Sequence, residues 1–143
     1  MKENILKGKT ALITCASSGL GFKISEKFIE QGANLIFCSR SEDRLNSAYN
    51  HLNKFRKNHQ RILYQAVDIS KKDEINSLLE NSFKEFQNVD ILINNAGIIG
   101  PKGNFEELDW EEWRYALDTN FLGSAYFIRK LLPHFKKNNY GRI

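Results

Sequence analysis

Thr10-Ala11-Leu12-Ile13-Thr14-Cys15-Ala16-Ser17-Ser18-Gly19-Leu20-Gly21 decides how this chain folds. Its first five residues are continuously apolar at the centre, which suits a parallel strand covered on both faces. A turn of small residues follows. Apolar side chains then recur at helical spacing (Leu20, Ile24, Phe28, Ile29) until Gly32 stops the helix. A strand that passes through such a turn into a helix presents unpaired N–H donors and positive potential at the helix start. A diphosphate can approach that backbone closely, with Gly19 permitting the approach and Gly21 permitting tight packing of helix on strand. An ordinary βα turn has the same outline, so this stretch alone is a weak sign of a nucleotide.

Outward from it, three further apolar runs recur at intervals of about 25–30 residues, the rhythm of βαβ units. They are Asn34–Ser39, residues 61–67 and residues 90–93. The third run of the chain, residues 61–67, mixes polar and apolar side chains as an edge strand does. Between the runs, Ser41 can cap a second helix. Ser70 with Asp73 resembles a capping box ahead of Ile75, Leu78, Leu79, Phe83 and Phe86. Asp109 with Glu112 repeats the device before Trp113, Leu117, Phe121, Ser124 and Ile128. That last helix is expected to run to Lys137, with Gly123 and Pro133 placed to bend or shorten it. Helix and strand alternate four times, and Arg142-Ile143 reads as the start of a fifth strand. With right-handed crossovers the expected fold is α/β, a Rossmann-type doubly wound parallel sheet in three α/β/α layers, truncated at the start of the fifth strand.

The length of 143 residues allows one domain. No apolar run approaches the roughly 20 residues of a spanning helix, and the N-terminal stretch has no apolar core of signal-peptide length. A cytoplasmic protein with no membrane contact is expected. The net charge is +4, from 21 basic and 17 acidic residues. The basic stretch at residues 54–61 reads as a solvated helix end and loop, without the aromatic interleaving of a nucleic-acid surface. Cys15 and Cys38 make no disulfide framework. His51, His59 and His134 are scattered without metal-ligand spacing, so no metal is expected.

In a parallel sheet all strand C-terminal ends share one edge. Asp68-Ile69 and Asn94-Asn95-Ala96-Gly97 therefore converge with the Gly19–Gly21 turn at the crevice where ligands bind. These segments, together with Thr119-Asn120-Phe121-Leu122-Gly123, in that order and spacing, closely resemble the short-chain dehydrogenase/reductase family, over residues 7–143.

The resemblance implies a role for each matching position. Thr14 through Gly21 (Thr14, Ala16, Ser17, Ser18, Gly19, Leu20, Gly21) match the family's TGxxxGxG turn, which cradles the cofactor diphosphate. Asp68 matches its adenine-side acid, with Ile69 beside the ring. Asn94, Asn95, Ala96 and Gly97 match its NNAG segment, which lines the adenosine ribose and braces the central strand. Asn120 matches the asparagine of the catalytic tetrad, where a break in the helix lets a carbonyl hold a water of the proton relay.

Two departures stand out. Cys15 occupies the position of the family's first glycine, where its Cβ adds bulk near the ribose. The family's catalytic serine and Tyr-x-x-x-Lys follow the fifth strand, and Tyr49, Tyr64, Tyr115, Tyr126 and Tyr140 are read as falling outside that motif. Residues 1–143 are accordingly expected to be a single NAD(P)-binding Rossmann domain, incomplete at the C-terminus. The expected function is NAD(P)-dependent hydride transfer between an alcohol and a carbonyl, on a 3-oxoacyl, small-alcohol or sugar substrate. A catalytically inactive dinucleotide-binding fragment or partner subunit is the alternative.

After the second strand stands Ser39-Arg40-Ser41, where an NAD-selecting enzyme carries an acid. Ser39 and Arg40 can instead bind a 2′-phosphate, so NADP is expected ahead of NAD. The resemblance implies a homo-oligomer for the intact family. An open edge at Ile91, Leu92 and Ile93 is expected to make the chain self-associate.

Overall fold

Strands that are apolar throughout need cover on both faces, and the computed structural model, which describes residues 4–143, supplies it. Met1–Glu3, which head the N-terminal stretch read above as lacking a leader core, lie outside the described residues. The elements follow in the order β1 (Thr10–Thr14), α1 (Gly19–Glu30), β2 (Asn34–Ser39), α2 (Glu42–Asn53), β3 (Ile62–Ala66), α3 (Lys72–Glu85) and β4 (Ile91–Ile93). A short 3-10 turn (Phe105–Glu107) leads into α4 (Trp110–Leu117), a π-helical segment (Asp118–Gly123) and α5 (Ser124–Lys137). The four strands are parallel in the order β3-β2-β1-β4, so the mixed third strand is indeed an edge. The architecture is the expected Rossmann-type α/β sheet. No helix among the described residues is long and apolar enough to cross a membrane.

Successive strand residues point to opposite faces, and two cores result. Leu12, Ile36 and Leu92 pack with Ile75 and Leu78 of α3 and Phe127, Leu131 and Phe135 of α5. Ile13, Leu35 and Phe37 pack on the other face with Ile29 of α1 and Leu45 and Leu52 of α2.

Several expected faces are rotated. In α1 the buried positions are Gly21, Ser25 and Ile29, whereas Leu20 is 70% exposed. In α3, Phe83 is exposed and Ser82 is buried in its place, its hydroxyl bonded to Leu78 O at 2.7 Å. The expected stripe Leu117–Phe121–Ser124 assumed unbroken α-helical winding. The π segment admits an extra residue per turn, and the buried row becomes Thr119, Gly123, Phe127, Leu131 and Phe135, leaving Phe121 66% exposed.

Two caps hold as expected: Ser41 Oγ accepts from Arg44 N–H at 3.4 Å and Asp109 Oδ1 from Glu112 N–H at 2.8 Å. Ser70 does not cap α3, whose N-cap is Lys71, because its hydroxyl is donated to Asp68. Beside β4, Arg142 forms a parallel bridge to Ile91. It donates to Asp90 O at 3.0 Å and accepts from Leu92 N–H at 2.9 Å, so that edge is covered in part.

Candidate functional site

The C-terminal ends of β1, β2, β3 and β4 open onto one cleft. Of the residues singled out in the sequence, Cys15, Ser39, Arg40, Asp68, Ile69, Ala96 and Gly97 line it. Val67, Ile98 and Thr119 join them. Thr119 stood in the sequence only as part of the motif around Asn120, with no role assigned to its own side chain.

Beside this cleft, α1 begins with Ser18 as its N-cap, but no side chain caps the helix and no acid lies in its first turn. Its leading N–H groups are thus left without a side-chain acceptor, which suits an anion. Gly19 has a φ of +58° and faces open space, as a cradle for a bulky anion requires. Ser17 is half-buried, and Ser18 and Leu20 are exposed around it. Ala16 is fully buried, its N–H bonded to Cys38 O at 3.1 Å, so it holds the turn in place.

Thr14 and Asn95 clasp the turn to the end of β4. The buried Thr14 hydroxyl accepts from the N–H groups of Asn95 and Ala96, each at 3.0 Å. The Asn95 amide donates to the carbonyls of Thr14 and Cys15, each at 3.1 Å. Both side chains are spent on positioning the backbone. Cys15 adopts a φ of +52°, a left-handed conformation that a glycine takes without strain.

Asp68 is half-buried at the end of β3. Its Oδ1 accepts from Ser70 Oγ at 2.7 Å and Ser70 N–H at 3.0 Å, and its Oδ2 from the Tyr115 hydroxyl at 3.1 Å. Burial alone would raise its pKa. The hydrogen bonds from Ser70 and Tyr115, with the nearby Lys71 charge, outweigh that and hold the carboxyl below the ordinary aspartate value. Arg40 reaches the same hydroxyl, with Nη1 donating to Tyr115 at 2.9 Å.

Asn120 lies in the π segment. Its Oδ1 accepts from Ile98 N–H at 2.7 Å and its Nδ2 donates to Ile98 O at 2.8 Å, pinning the loop after β4. Asn94 Oδ1 and Thr119 Oγ1 are buried polar atoms without a hydrogen-bond partner among the described residues, and Thr119 borders the cleft. Contrary to the reading of the tyrosines, one of them does stand four residues before a lysine, in Tyr126-Phe127-Ile128-Arg129-Lys130. That pair lies on α5, before the bridge at Arg142. The Tyr126 hydroxyl donates to Asn76 Oδ1 of α3 at 3.1 Å, so it braces two helices away from the cleft.

Comparison with known proteins agrees with this geometry. The family model described as short chain dehydrogenase matches residues 9–143. An uncharacterized oxidoreductase of Staphylococcus saprophyticus is 34% identical over 140 residues, which are 98% of this chain and 54% of that protein. The crystal structure of L-sorbose reductase from Gluconobacter frateurii, complexed with NADPH and L-sorbose, superposes with a TM-score of 0.84. It is 32% identical over 93% of this chain and 49% of that one. The 3-ketoacyl-(acyl-carrier-protein) reductase of Brucella melitensis, complexed with NADH, gives a TM-score of 0.83 at 34% identity, over 93% of this chain and 52% of that one. The chain thus spans about half the length of the relatives it matches.

Proposed function

The chain belongs to the short-chain dehydrogenase family, and on that footing we propose that it forms the nicotinamide-dinucleotide-binding part of an oxidoreductase that interconverts an alcohol and a carbonyl compound. One observation carries this reading: the Asp68 carboxylate and the Arg40 guanidinium line one cleft, and the uncapped start of α1 follows Cys15 at its border. A dinucleotide needs these three things, an anion cradle, an acceptor for the adenine amino group and a polar grip on the ribose. The open space at Gly19 and the unpartnered Thr119 Oγ1 fit such a guest.

In this reading Ser17, Ser18, Gly19, Leu20 and Gly21 hold the diphosphate through the first turn of α1. Asp68 accepts from the adenine and Ile69 packs beside it. Asn95, Ala96 and Gly97 line the ribose side, with Thr14 and Asn95 fixing the backbone. Ser39 and Arg40 favour NADP over NAD, since a guanidinium pairs with a 2′-phosphate where an acid would repel it. When bound, the cofactor supplies or accepts the hydride. Asn120 fixes the loop at Ile98, and its carbonyl in the π segment is assigned the relay water. Residues 1–143 form one dinucleotide-binding domain. The substrates named for the two structural neighbours, a sugar and a 3-ketoacyl group, mark the classes to try first.

This reading assigns Asn120 alone to the family's catalytic set among residues 1–143, so this polypeptide should bind the cofactor without turning over ketones. Fluorescence titration with NADPH and NADH, followed by cofactor oxidation with sugar and 3-oxoacyl ketones, tests both parts. The expected result is saturable binding, tighter for NADPH, with the difference abolished in Arg40→Ala. Equal affinities refute the NADP preference. Turnover that disappears in Asn120→Ala refutes the division of labour, and favours a self-sufficient enzyme over a binding subunit.

A further inference from the structure

Tyr115 joins two walls of the cleft that sequence alone leaves unconnected. It stands on α4, while Arg40 follows β2 and Asp68 follows β3. Its hydroxyl donates to Asp68 Oδ2 at 3.1 Å and accepts from Arg40 Nη1 at 2.9 Å. The direction of both bonds is forced. An ionised carboxylate only accepts and a guanidinium only donates, so one hydroxyl satisfies both with its single proton.

The bridge leaves each partner with binding capacity. Arg40 is exposed and spends Nη1 on Tyr115, which keeps Nε and Nη2 for a planar, bidentate anion contact. Asp68 spends Oδ1 on Ser70 and one lone pair of Oδ2 on Tyr115, which keeps a second lone pair for an amino group. A long side chain that is ordered before its ligand arrives loses less freedom on binding. We propose that Tyr115 is a positioning residue that presets Arg40 for an adenosine 2′-phosphate and Asp68 for the adenine, so that preference for the 2′-phosphorylated cofactor depends on the Tyr115 hydroxyl. This rests on the dinucleotide reading of the same cleft.

The test uses the whole chain and two adenosine probes, adenosine 2′,5′-bisphosphate and 5′-AMP, with affinities from calorimetry. Tyr115→Phe keeps the ring and removes only the bridge. It should weaken the bisphosphate about tenfold, as expected for loss of a charge-assisted arrangement. It should weaken 5′-AMP about threefold at most, so the ratio of the two affinities falls. Arg40→Ala should reduce that ratio less in the Tyr115→Phe background than in the wild type, the mark of two coupled residues. A merely structural tyrosine would lower both affinities by one factor and leave the ratio alone. An unchanged ratio, or fully additive effects of the two substitutions, overturns the role of Tyr115 while leaving the cofactor reading in place. Failure of the wild-type chain to bind either probe overturns the cofactor reading, and this inference with it.

Discussion

A side chain on Gly21 would collide with Asn95: an added Cβ would lie 2.5 Å from Asn95 Nδ2 and 2.7 Å from the Cys15 carbonyl oxygen. Neither neighbour is free to retreat, because the Asn95 amide is bonded to that same carbonyl and to the Thr14 carbonyl. The clasp that shapes the turn and the close packing of α1 on β1 are therefore one device. Gly21→Ala should destabilise the chain by about 2–3 kcal/mol, within the range for overpacking a tight site. Urea unfolding measures this. A change below about 0.5 kcal/mol would show that the clasp gives way.

The order of elements and the edge strand were legible because apolar runs and small-residue turns are local signals. So were the two clasped segments, Thr14 and Asn95, through their motif context. What connects distant segments was not. Tyr115 meets Asp68 from 47 residues away and Arg40 from 75, and no period or spacing announces such a contact. The π segment defeated the helical stripe for a different reason. One extra residue in the turn moves every later side chain to a new face, so Phe127 replaced Ile128 at the core. Ser70 looked like a cap because hydroxyl and acid stood at the right spacing, but the carboxylate of Asp68 lay nearer.

Cys15 stores strain that glycine would release. Its φ of +52° costs a residue with a Cβ about 1–2 kcal/mol, against about 0.5–1 kcal/mol for the extra freedom glycine gains in the unfolded chain. Cys15→Gly should therefore stabilise the protein slightly, by up to about 1.5 kcal/mol, and Cys15→Val should destabilise it. Thermal unfolding of the three proteins orders them. A less stable Cys15→Gly would mean that the thiol makes packing contacts worth more than the strain.

Acid should unfold the chain through a small set of carboxylates. Glu26 is held below the ordinary value first by the Lys23 ammonium and, against burial, by His51. Glu74 is held down by the Asp68 N–H and then by Lys71, and Asp68 by the bonds that outweigh its burial. A folded pKa below the unfolded one gives stability that is present above the unfolded pKa and lost as pH falls through the folded one. Stability should decline below about pH 5, and Asp68→Asn should flatten part of that decline. Urea midpoints at neutral and acid pH report it. Parallel declines in wild type and Asp68→Asn would remove Asp68 from the account.

In the proposed dinucleotide site the start of α1 and the strand ends at Asp68 and Ala96 act together. Backbone amide chemical shifts of the labelled chain during titration with NADPH test this most directly. Saturable changes are predicted at residues 17–21, at Asp68 and Ile69 and at Ala96 and Gly97, with one shared dissociation constant. No saturable change, or changes confined to the basic stretch at residues 54–61, would contradict it.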